Sequence, residues 1–71
     1  MATEVEALIA GTMWKVEKAV GDAVEAFDVI MILESMKMEI PVEAPCAGTI
    51  KEIRVQEGDA IEEGQVLALI E

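Results

Sequence analysis

Apolar residues along this chain come in short runs. They are "VEALI" at 5–9, "MWKVEKA" at 13–19, "VIMILE" at 29–34, "MEIPVEA" at 38–44, "IKEIRV" at 50–55 and "VLALIE" at 66–71. Turn-forming pairs separate them: Ala10-Gly11, Gly21-Asp22, Ala47-Gly48, Gly58-Asp59 and Glu63-Gly64. Short Val/Ile-rich runs with regular turn signals predict an all-β sandwich or barrel. Glu4 and Glu6 alternate with Val5 and Ala7, as in a strand with one face in the core. "VIMIL" and "VLALI" do not alternate, so they read as central strands buried on both faces.

One segment has a competing reading. "VIMILESMKME" is rich in Met, Leu, Glu and Lys, which favour helices. Pro41 would end such a helix early. A strand, a tight turn near Met36-Lys37 and a returning strand fit better. That turn holds no Gly or Asn, so a two-residue primed turn there carries backbone strain.

The chain also matches itself at an offset of 37 residues. "VEALIAGT" at 5–12 falls on "VEAPCAGT" at 42–49, and "GDAVEAFDVIMILE" at 21–34 falls on "GDAIEEGQVLALIE" at 58–71. Of the 30 aligned pairs 12 are identical, without a gap; average composition gives roughly two. Two copies are too few for an open solenoid. The pattern therefore predicts one pseudo-twofold domain over 1–71, with halves 5–34 and 42–71. Lys37 lies at the join, which places it near the pseudo-twofold axis.

Size and charge narrow the function. A 71-residue chain makes one domain with a thin stability margin, offset here by 54% hydrophobic residues. With Trp14 and Phe27 the only aromatics, the core must be aliphatic. A net charge of −10 repels phosphate backbones and anionic lipids and suits partners with basic clefts, so no nucleic acid and no membrane are expected. Cys46 is the only cysteine and falls opposite Ile9, an apolar filler in an intracellular protein. No histidine or cysteine pair offers a metal site. The Gly-Asp pairs are turn chemistry, and no supported acid–base pair points to catalysis.

The unusual chemistry is at Lys37. Alone, it is an ordinary exposed lysine paired with Glu34 or Glu39. Met36 and Met38 change that reading, because exposed methionines mark surfaces that meet other molecules. Trp14 falls opposite Lys51 in the repeat, so it should be partly exposed.

"ESMKMEI" at 34–40 resembles the attachment motif of biotinyl carrier domains, with Pro41 and "AGTI" at 47–50 in the same pattern. The resemblance covers essentially the whole chain. It implies a flattened antiparallel β-barrel or sandwich of two four-stranded sheets with pseudo-twofold symmetry. The modified lysine would stand on an exposed hairpin turn, with the termini at the far end. By the same resemblance Lys37 carries covalent biotin, flanked by Met36 and Met38, which present it to partners. Ser35 stands where most members have Ala. The ungapped repeat leaves no room for the extra thumb loop of some bacterial members.

The implied function is a biotin carboxyl carrier, without catalytic residues or metal, in a cytoplasmic biotin-dependent carboxylase. An acyl-CoA carboxylase of fatty acid biosynthesis is one such assembly, and acetyl-CoA, propionyl-CoA, pyruvate or a decarboxylase substrate are all open as the acceptor. The implied partners are a biotin protein ligase, a biotin carboxylase and a carboxyltransferase. Met1 and the absence of an Ala/Pro linker favour a free-standing protein. Two other readings are a lipoyl carrier, whose tip is usually Asp-Lys-Ala, and an unmodified β-module with an ordinary Lys37.

Overall fold

Eight strands and no helix make up the computed structural model, which describes residues 2–71. The strands are β1 (Thr3–Glu6), β2 (Gly11–Val16), β3 (Ala23–Val24), β4 (Val29–Ser35), β5 (Met38–Glu43), β6 (Gly48–Ile53), β7 (Ala60–Ile61) and β8 (Val66–Ile70). They form two four-stranded antiparallel sheets, ordered β1-β8-β6-β3 and β5-β4-β2-β7. The segment open to a helical reading is therefore the β4–β5 hairpin.

The two sheets are one pattern written twice. Adding 37 to β2 gives β6, and adding 37 to β3 gives β7, with identical burial patterns in each pair. The same shift turns the order β1-β8-β6-β3 into β5-β4-β2-β7, with β8 returning to β4. Backbone hydrogen bonds repeat too: Gly21 N–H donates to Ile50 O at 2.8 Å, and Gly58 N–H donates to Met13 O at 2.7 Å. Each of these bonds crosses from one half of the sequence to the other.

The non-alternating runs became the strands β4 and β8, each second in its sheet. Ile30, Met31 and Leu33 on β4, with Leu67, Ala68 and Ile70 on β8, are buried almost completely. Met13 and Ile50, a repeat pair, complete the middle of the core. The core is aliphatic, and Trp14 and Phe27 are both exposed. Trp14 sits at a bulge in β2, where the pairing shifts between Met13 and Lys15. Lys51, its counterpart, sits at the matching bulge in β6.

Side chains close the turns as the Gly-Asp pairs predict. Asp22 Oδ2 accepts from Ala19 N–H at 2.8 Å, and Asp59 Oδ2 accepts from Gln56 N–H at 2.9 Å. Asp28 Oδ2 caps Glu25 N–H at 2.9 Å, while Gln65 Oε1 caps Glu62 N–H at the same distance. Gly21 and Gly58 both take φ 95°, which side-chain-bearing residues rarely adopt.

The placement of Lys37 near the axis is corrected. Symmetry exchanges the β4–β5 hairpin with the β8–β1 pair: Leu33 faces Ile40 as Ile70 faces Thr3. Their ends differ only in that a turn joins β4 to β5, whereas β8 and β1 end at the two termini. The join of the duplication is thus equivalent to the chain ends. In a body of 32 × 17 × 17 Å, Lys37 lies at the end exchanged with the termini.

Candidate functional site

The β4–β5 hairpin projects Lys37. Its last pair is Ser35 opposite Met38, so the connection is the two residues Met36 and Lys37. Both take left-handed backbone, with φ 52° and 64°. This is the primed geometry that matches strand twist, normally filled by Asn-Gly. For residues with a Cβ it costs about 1–2 kcal/mol each. The strain expected for a turn without glycine is therefore present, at the tip and nowhere else in the hairpin.

Below the tip the hairpin is firmly held. Thr12 and Met13 on β2 pair with Glu34 and Leu33, and Leu33 is buried. A Cβ built on Gly11 would collide with the Glu34 carbonyl oxygen, so β2 approaches the hairpin as only glycine allows. Gly48 does the same for the other half, its Cβ position 2.9 Å from Glu71 O.

Above this base the side chains are free. Met36 is 92% exposed and Met38 62% exposed, and Lys37 is exposed between them. Among the described residues the ion pairs are Lys51–Glu71 and Arg54–Glu52, both at 2.8 Å, and Lys37 is in neither. Glu34 and Glu39 face each other across the hairpin as like charges. The simple surface ion pair is thus absent. What stands at the tip is an amine on a four-carbon stem, framed by two exposed thioethers on a rigid base.

Other candidates resolve plainly. Cys46 is half-buried against the core, as an apolar filler would be. Lys15 lies over the Trp14 ring, 5.3 Å from its centre, a surface cation–π contact. Among the described residues no three acidic, cysteine or histidine side chains gather as a metal site.

Comparison with known proteins decides the family. The family model described as "Biotin-requiring enzyme" matches residues 1–70. This chain belongs to the biotin-requiring family. Its cofactor is covalently bound biotin, and an exposed lysine amine on a rigid turn fits that group. A Bacillus subtilis biotin/lipoyl attachment protein is 53% identical over 34 residues, covering 48% of this chain and 47% of that protein. The biotinylated protein TB7.3 of Mycobacterium bovis is 48% identical over 42 residues, 59% of each chain. The chain thus spans about half the length of the curated relatives it matches.

Solved structures agree on the fold. The urea carboxylase of Kluyveromyces lactis superposes with a TM-score of 0.94 at 38% identity, over 99% of this chain and 6% of that one. A single-chain, multi-domain long-chain acyl-CoA carboxylase superposes with a TM-score of 0.90 at 28% identity, over 96% and 7%.

One part of the surface escaped the sequence reading. Leu8 and Phe27 are 88% and 75% exposed, although both lie in matched repeat segments. The signal was present: Phe27 stands opposite Gly64 and Leu8 opposite Pro45, two of the mismatches in the alignment.

Proposed function

We propose that this chain is a biotin carboxyl carrier, a non-catalytic domain whose biotin is held in amide linkage on Lys37 Nζ. The observation that carries this reading is the lysine itself. It is exposed, outside both ion pairs, and the second residue of the two-residue Met36-Lys37 turn, flanked by Met36 and Met38. Bound there, biotin supplies a ureido nitrogen that accepts a carboxyl group at one enzyme and yields it at another.

The protein's own part is presentation. The strained turn holds Lys37 at the extremity of the sandwich, and the pairing of β4 with β2 keeps that extremity from swinging. A short flexible stem on a rigid body raises effective concentration to roughly the millimolar range at a docked partner. Nothing at the tip is built to activate the amine, because the nearest charged groups along the strands are carboxylates. A biotin protein ligase would supply that step by presenting an activated carboxyl: the amine nitrogen forms the amide bond, the activating group leaves and the amine loses its protons.

The partners proposed are a biotin carboxylase and a carboxyltransferase, in an acyl-CoA carboxylase of cytoplasmic fatty acid biosynthesis. The superposition on a urea carboxylase and on a long-chain acyl-CoA carboxylase supports a carboxylase assembly, and the second of them supports an acyl-CoA acceptor.

Co-expression with a biotin protein ligase and biotin, followed by intact-mass measurement, tests the attachment. The mass is expected to rise by one biotin less one water, and Lys37→Arg is expected to abolish the rise. A lipoyl-sized increase, or one that survives Lys37→Arg, overturns the proposal.

A further inference from the structure

The sandwich has an open seam, and it is apolar. β1 and β5 are edge strands of different sheets, not hydrogen-bonded to each other. Between them runs a cleft of about 330 Å³. Leu8, Ile9, Phe27, Pro41 and Pro45 supply its exposed apolar lining, with half-buried Ile40 beneath them. Lys37 is not part of it.

Three features separate this cleft from ordinary surface. First, Phe27 has φ 73°, a left-handed conformation that a bulky residue adopts only under constraint. The turn imposes it: Phe27 N–H donates to Ala44 O at 2.8 Å, as Gly64 N–H donates to Ala7 O at 2.8 Å in the other half. There the same conformation, φ 85°, is filled by glycine. Fold stability thus favours glycine at 27, yet the chain places a largely exposed aromatic ring there. Second, the cleft breaks the symmetry of the fold. Leu8 and Phe27 belong to the first half, and their counterparts are Pro45 and Gly64. Third, among the described residues the charged ones lining it are Glu4, Glu6 and Glu43, all acidic. Pro41 cannot donate a backbone hydrogen bond, so β5 is blunted as an edge, while β1 has no proline.

We propose that this seam docks an extended segment of a partner protein, in which apolar side chains alternate with Lys or Arg. The apolar residues fill the cleft against Leu8, Phe27 and Pro45, and the cations meet Glu4, Glu6 and Glu43. Extended peptides recognised along a sheet edge take this alternating form. The site lies apart from Lys37 and requires no biotin, so it stands or falls separately from the carrier reading.

Titration of isotope-labelled protein with a synthetic octapeptide of alternating lysine and valine, followed by amide chemical shifts, tests it. The expected result is saturable shifts confined to residues 4–9, 27–28 and 40–44. Replacing every lysine of the peptide by glutamate should abolish them. The folded double variant Leu8→Ser, Phe27→Gly should bind at least tenfold more weakly, and Lys37→Arg should bind as wild type. Shifts spread over the whole acidic surface, or equal binding by the double variant, overturn the proposal. So does absence of binding at millimolar peptide. Shifts at the seam that depend on protein concentration alone assign the cleft to a second copy of this chain instead.

Discussion

At the scale of single residues, the repeat provides its own control experiment. Positions 27 and 64 share one backbone conformation and one hydrogen-bonding role, but one carries Phe and the other Gly. A Cβ on Gly64 would meet nothing within 4 Å, so the cost of adding it is backbone strain alone. Gly64→Ala is expected to destabilise the protein by about 1 kcal/mol. Phe27→Gly should stabilise it by up to about 1 kcal/mol, because the ring it removes is mostly in water. Thermal unfolding checks both: for a domain of this size 1 kcal/mol is a shift of about 4–8 °C. A fall in midpoint for Phe27→Gly would show that the ring packs against the seam strongly enough to outweigh its strain. Neither the strain nor the exposure was visible from Phe27 alone, since a lone aromatic in a β protein is ordinarily core. Its alignment with a glycine was the clue.

At the scale of the element, the β4–β5 hairpin divides its tasks along its length. Its base contributes stability through buried Ile30, Met31 and Leu33 and through the glycine contact from β2. Its tip contributes none that the contacts reveal, since Met36 and Met38 lie in solvent. Exposed side chains away from special contacts usually change stability by less than about 0.5 kcal/mol. Replacing both with Ala should therefore change stability by less than about 1 kcal/mol, a midpoint shift of at most about 4–8 °C. Ligase-dependent biotinylation, or carboxyl transfer with the partner enzymes, should slow severalfold. A drop of more than about 8 °C with transfer unchanged would return the methionines to a structural role. The hairpin itself was legible from the apolar run, Pro41 and the repeat. Its primed turn followed from a two-residue connection, which sheet twist allows in few ways.

At the scale of the whole molecule, charge is a background stress on a small fold. The chain carries 15 acidic and 5 basic residues. Lys51 relieves some of that excess through its contact with Glu71, which ties β6 to the end of β8. The hydrogen bond to Glu71, and then its charge, raises the Lys51 pKa above the ordinary lysine value. A raised pKa in the folded state means stabilisation that is fully present below the unfolded value of about 10.4. It is lost as pH rises through the folded value. Lys51→Met should thus lower the denaturant midpoint slightly at neutral pH, since exposed pairs contribute little. The gap to wild type should close in strong alkali; one that persists there would assign the effect to the lysine stem.

By itself the sequence determined the six longer strands, the two-copy pattern and the aliphatic core, because each follows from local spacing and from residue volume. It also determined Lys37 as the one lysine in an unusual setting, since Met-Lys-Met between strand signals is a local fact. Only the tertiary structure decided where these features stand in space. It moved Lys37 from the symmetry axis to the end of the sandwich, because a twofold exchanges the join of a duplication with the chain ends. The two-residue strands β3 and β7 were too short to carry a periodicity. The seam between β1 and β5 joins residues some 37 positions apart. It exists because two sheets were packed face to face and one side was left open, which no window along the chain records.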